Sequence, residues 1–122
     1  MKQLFDKYTA AFDALKASEI AKLYKLPCAT SDGDGQAVFT TESSLIDKFD
    51  ANCNTMIAMG YSHSQYNIIN QEMLGEGACA VTIGWKVFTK SAPIEFRSHY
   101  VCHKVDDQWK IFTAQVFSGT FN

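Results

Sequence analysis

Val81-Thr82-Ile83-Gly84-Trp85-Lys86-Val87 alternates without a break. Val81, Ile83, Trp85 and Val87 fall on one side of an extended chain, and Thr82, Gly84 and Lys86 on the other. That period of two marks a strand with one buried face. The stretch sits inside one of four such runs after Gly60, at about 64–74, 78–90, 94–105 and 109–118. They are separated by Gly75-Glu76-Gly77, Ser91-Ala92-Pro93 and Asp106-Asp107-Gln108. Connections this short make successive strands antiparallel neighbours.

The half before Gly60 reads differently. Leu4, Phe5, Tyr8, Ala11, Phe12 and Leu15 lie on one face of a helix, with Lys2, Lys7, Asp13 and Lys16 off it. Ser18 opens a short second helix carrying Ile20, Leu23 and Tyr24, which Pro27 stops. Asp32-Gly33-Asp34-Gly35 is a turn between two short strand candidates, 28–31 and 36–40. Thr41 or Ser43 starts a third helix with the stripe Leu45, Phe49, Cys53 and Met56, and Gly60 ends it. Helices followed by a long antiparallel meander make an α+β chain. Three helices cannot cover a twisted four-stranded sheet. The remainder of the inner face is expected to form a pocket, and the outer face a subunit contact. Tyr100, Ile111, Thr113, Gln115 and Phe117 are expected on that outer face, which would leave a monomer with an exposed apolar patch.

The chain has 122 residues, is 47% hydrophobic and 20% charged, and carries a formal charge of −2. This is one domain with ordinary globular usage and no basic face for nucleic acid. No apolar run approaches the roughly 20 residues of a membrane-spanning helix. The opening Met1-Lys2-Gln3-Leu4-Phe5-Asp6-Lys7 shows no signal-peptide core, so the expected location is cytoplasmic. Cys28, Cys53, Cys79 and Cys102 form no CxxC pair and read as buried, reduced thiols. No nucleophile elbow, phosphate loop or HExxH motif occurs, and no cofactor is implied.

Lys7-Tyr8-Thr9-Ala10-Ala11-Phe12, then Ile20-Ala21-Lys22-Leu23-Tyr24, and the ending Asp107-Gln108-Trp109-Lys110-Ile111-Phe112 resemble the nuclear transport factor 2-like superfamily. Its SnoaL-like and ketosteroid-isomerase-like branches are the nearest in pattern. The resemblance covers nearly the whole chain. It implies a single domain, 1–122, with a cone-shaped curved antiparallel sheet packed on three N-terminal helices, a cystatin-like α+β roll. Laid without gaps against ketosteroid isomerases, Tyr8 falls at the tyrosine that hydrogen-bonds the substrate oxyanion, and Asp32 at the aspartate that moves the proton. Val101, which cannot donate, falls at or beside the second oxyanion donor. Asp32 has a second reading, as a plain residue of its Asp-Gly turn.

The resemblance also suggests that Arg97, His99, Val101 and His103 share the pocket face. His99 would then be an acid or base near neutral pH, and Arg97 a carboxylate holder. A slip of one residue would turn Phe96, Ser98, Tyr100 and Cys102 inward instead. The expected register is the first, because it sets Val101 and Val105 beside Ile83 and Trp85 and points Lys104 outward. Phe12, Trp85, Phe112, Ala114 and Val116 complete the expected lining. His99 and His103 lack a third ligand for a metal. The resulting expectation is a small dimeric cone that binds a small apolar or aromatic molecule. Its catalytic form would be a cofactor-free isomerase, dehydratase or cyclase using Tyr8, Asp32 and His99. The alternative is a non-catalytic ligand-binding or protein-interaction module.

Overall fold

The computed structural model describes residues 1–122. In chain order the elements are α1 (Lys2–Asp13), α2 (Ala17–Ala21), β1 (Tyr24–Asp32), β2 (Gly35–Phe39), α3 (Glu42–Ala58), β3 (His63–Met73), β4 (Ala78–Phe88), β5 (Ile94–Val105) and β6 (Gln108–Phe117). The six strands form one sheet in the order β2-β1-β6-β5-β4-β3. All pairings are antiparallel except β1 with β6, which run parallel. No helix is long and apolar enough to cross a membrane.

Local chemistry explains the main boundaries. Thr41 caps α3 by accepting a hydrogen bond from the Ser44 amide at 3.3 Å, and Glu42 lies in the first turn, where the helix end is positive. The tight turn after β1 is held by the Asp34 amide donating to Asp32 Oδ1 at 2.9 Å, and Gly35 supplies φ +107°. Tyr24 belongs to β1, not to the second helix, which stops at Ala21.

The core lies between the helices and the concave sheet face. Phe5 is fully buried, with its ring 5.0 Å from that of Tyr100 and 5.9 Å from that of Tyr8. Ile20, Leu45, Val81, Ile83 and Ile111 are fully buried around it. All four cysteines are buried and unpaired, and Cys79 faces Cys102 across β4 and β5.

Two register findings correct the expected faces. In β5 the inward residues are Phe96, Ser98, Tyr100 and Cys102, which pair with Trp85, Ile83, Val81 and Cys79 of β4. Arg97, His99, Val101 and His103 therefore point outward. The side chains on the inward set match a closed core, and Tyr100 finds a donor there, Trp85 Nε1 at 3.3 Å. Two inward histidines would have needed buried partners of their own. On the outer face His99 has one in Thr82, whose hydroxyl lies 2.9 Å from Nδ1. In β6 a bulge gives Val101 the partner Thr113 and Cys102 the partner Ile111, so Phe112 is the extra residue. The bulge resets the alternation. Ile111 and Ala114 face inward, and Phe112 turns out to lie edge-on to the His103 ring at 5.3 Å. Tyr100 and Ile111 are thus core residues and take no part in the outer face.

Residues 118–122 fold back across the outer face. Arg97 donates from Nε to the Thr120 carbonyl at 2.8 Å, and the Phe121 amide donates to Glu95 Oε1 at 2.7 Å. Gly84 lets the tail lie flat, because a Cβ there would sit 2.1 Å from the Phe121 carbonyl oxygen. Gly84→Val is expected to lift the tail and leave the sheet paired. Hydrogen exchange should then show fast exchange at the Phe121 amide with β4 still protected. Unchanged protection at Phe121 would contradict this placement.

Candidate functional site

The cone encloses a cavity of about 410 Å³, within the range of small-molecule sites. Burial grades along it. Tyr8, Tyr24, Thr30, Phe49, Trp85, Ser98, Tyr100 and Ala114 form a buried floor, while Asp34, Thr55, Met59, Ile94 and Val116 are exposed at the mouth. The walls are mainly aromatic. The Tyr8 ring lies 5.1 Å from Phe12 and 5.9 Å from Trp85, and Phe12 meets Phe49 edge-on at 5.9 Å.

The floor's polar atoms are mostly engaged with one another. The hydroxyls of Tyr8 and Tyr24 lie 3.0 Å apart. Burial, reinforced by the Tyr100 hydroxyl, pushes both well above their usual 10, so they stay neutral hydrogen-bonding groups at any physiological pH. Burial also raises Tyr100.

One ion pair flanks the cavity. Lys48 on α3 reaches Asp32 at the end of β1, Nζ to Oδ2 at 2.8 Å, with both side chains largely buried. Burial alone would raise the Asp32 carboxyl. Hydrogen bonds from Lys48 and the Asp34 amide, with the Lys48 charge, outweigh it and hold the group below its ordinary 3.8. Asp32 is thus a turn residue that also lines the cavity: one oxygen closes the turn and the other meets the cavity's cation.

The sign of that shift gives a test. A carboxyl lowered on folding contributes stability that is present above pH 3.8 and lost as pH falls through its lower folded value. Lys48→Met is therefore expected to lose less stability than the parent between about pH 5 and about pH 2. Urea titrations across that range check it, and parallel acid curves for the two proteins would contradict it.

Of the residues singled out in the sequence, Tyr8, Phe12, Asp32, Trp85, Ala114 and Val116 line the cavity. Arg97, His99, Val101, His103 and Phe112 do not, for the register and bulge reasons given above. The sequence reading missed Tyr24, Thr30, Lys48 and Tyr100. For Lys48 a signal existed: Lys48, Asn52, Thr55 and Met59 recur at helical spacing beside the Phe49 stripe, and all four line the cavity. Thr30 shares the inner face of β1 with Asp32, two residues on, but nothing in its immediate sequence marks that strand as part of a pocket.

A family model described as NTF2-like protein (DUF6841) matches residues 1–118. No curated protein sequence matches the chain. Solved structures share the fold at low identity. An NTF-2 like protein of unknown function from Shewanella oneidensis MR-1 superposes with TM-score 0.77 and 15% identity, covering 94% of this chain and 93% of that one. A domain of unknown function with a cystatin-like fold from Nostoc punctiforme gives 0.79 and 10%, covering 96% and 74%. A candidate scytalone dehydratase from Novosphingobium aromaticivorans gives 0.71 and 14%, covering 98% and 81%.

Proposed function

We infer from one premise, that this chain belongs to the NTF2-like protein family (DUF6841), and from the lining of its cavity, that the protein binds a small apolar or aromatic organic molecule. The observation that carries this reading is the cavity itself: about 410 Å³, walled by Phe12, Phe49 and Trp85, with one cation that is already paired. A flat aromatic guest gains by leaving water and by stacking on these rings. Naphthalene should raise the melting temperature in proportion to the logarithm of its concentration once that exceeds Kd. A melting temperature unmoved up to the solubility limit would remove the reading.

A catalytic version has its own support, since Asp32 and Tyr8 line the same cavity. Asp32 would take a proton from a carbon beside a carbonyl and return it, while the Tyr8 hydroxyl donates to the enolate oxygen. The clamp on Asp32 weighs against it, because a carboxyl held below 3.8 is a weak base at neutral pH. The non-catalytic reading is therefore the better supported. Deuterium uptake at the α-carbon of 2-tetralone separates the two: no acceleration over buffer is expected, and an acceleration abolished by Asp32→Asn would establish the catalytic one.

The outer face supports a dimer of this chain as part of the same proposal. Val38, Phe112 and Phe117 are exposed there, with the uncharged Ala29, Val101, Thr113 and Gln115 on the same face and Arg97, His99 and His103 beside them on β5. Light scattering should give a mass twice 13.6 kDa; the monomer mass at micromolar concentration would sink this part.

A further inference from the structure

We propose that the molecule held in the cavity carries a neutral hydroxyl or carbonyl on its buried end, and that this group hydrogen-bonds Thr30 Oγ1, making Thr30 a specificity-determining residue. The proposal rests on the cavity being a binding site and adds what chemistry it selects.

Thr30 is 6% exposed, lines the cavity floor, and its hydroxyl has no hydrogen-bond partner. A buried hydroxyl without a partner is costly and uncommon in native proteins, and a partner from outside the chain removes that cost. The neighbours do not supply one. Thr30 is flanked across the sheet by Ala37 on β2 and Ala114 on β6, whose side chains have no polar atom. Oγ1 itself has almost no exposed surface, so the bound group reaches it by a turn of the Thr30 side chain about χ1 into the cavity that the residue lines. Of the other polar groups on the floor, Tyr8 shares a hydrogen bond with Tyr24 and Trp85 donates to Tyr100, while Lys48 is paired with Asp32 at the side. The second orphaned hydroxyl, Thr9 Oγ1 on α1, is not among the residues lining the cavity and has no bearing on it.

The class of group follows from the donor and acceptor inventory. A threonine hydroxyl donates once and accepts twice, so it serves a ketone or a phenol equally. It does not serve an ionised group. The cavity's cation is already neutralised by Asp32, and a carboxylate taken into this floor would lose its water with no free positive charge to replace it.

The test uses three bicyclic probes of one shape, naphthalene, 2-naphthol and 2-naphthoate, titrated by equilibrium dialysis into the parent protein and into Thr30→Val. Valine keeps the volume and the β-branching of the strand residue, and circular dichroism checks the fold. Should it misfold, Thr30→Ala takes its place. The parent is expected to bind 2-naphthol about five- to tenfold more tightly than naphthalene, and 2-naphthoate more weakly than either. Thr30→Val is expected to bring 2-naphthol down to the naphthalene value while leaving naphthalene within about twofold, and Thr30→Ser to restore the preference. A 2-naphthol preference that survives in Thr30→Val, or none in the parent, overturns the role of Thr30 with the cavity still a binding site. Failure of all three probes to bind the parent overturns the binding reading and this proposal together.

Discussion

Ala114→Trp is expected to weaken binding of a bicyclic aromatic by at least about 100-fold, close to 3 kcal/mol. Ala114 is 8% exposed and faces inward on β6, next to Thr30 on β1. An indole there projects into the space between Trp85 and Phe49 that the guest would occupy. Filling a packed core would cost stability, but this side chain enters an existing void, so folding should survive. Phe112→Trp, two residues earlier on the same strand, is the matched control. Its side chain points outward because of the bulge, and binding should be unchanged. Dialysis of the two variants side by side reads both the cavity and the bulge. Equal loss in both would show that the faces of β6 are misassigned.

Phe5→Ala is expected to remove about 3–5 kcal/mol of unfolding free energy, a large part of the roughly 5–15 kcal/mol a domain of this kind possesses. Phe5 is fully buried and touches three aromatic rings, those of Tyr8, Tyr66 and Tyr100. It joins α1 to Tyr66 on β3 and Tyr100 on β5, and no neighbour can swing in to fill the gap without breaking the tyrosine contacts. Urea denaturation measures it. A loss under about 1 kcal/mol would mean that α1 does not sit on the sheet as described.

The architecture was legible because it depends on coarse signals. The alternation of Val81, Ile83, Trp85 and Val87 and the helical stripe Leu4, Phe5, Tyr8 and Phe12 survive small errors of boundary. The site was only half legible because it depends on parity. In β5 both alternating sets have apolar members, Val101 and Val105 in one and Phe96 and Tyr100 in the other. An outward Lys104 favours the first set, and two inward histidines weigh against it. The bulky pair and the cost of burying His99 and His103 decide it physically. In β6 the first half of the expected face failed and the second half held, since a bulge at Phe112 shifts every residue before it relative to every residue after it. No run of residue types announces such a bulge. The parallel pairing of β1 with β6 was also beyond local reading, because it joins strands about eighty residues apart. That pairing sets Thr30 beside Ala114 and thereby builds the floor.

The lowered carboxyl of Asp32 and the outward turn of His99 together shape the functional account. A base poised near neutrality is what proton transfer asks of this cone, and neither group supplies it. Under the binding reading proposed above, what remains is an aromatic chamber with a few neutral hydroxyls and one internal ion pair.

The most direct test of that account is a crystal structure of the protein grown with 2-naphthol. The account predicts one bicyclic molecule between Phe12, Phe49 and Trp85, its hydroxyl within hydrogen-bond distance of Thr30 Oγ1. An empty cavity, with the probe bound only on the outer sheet face, would contradict it.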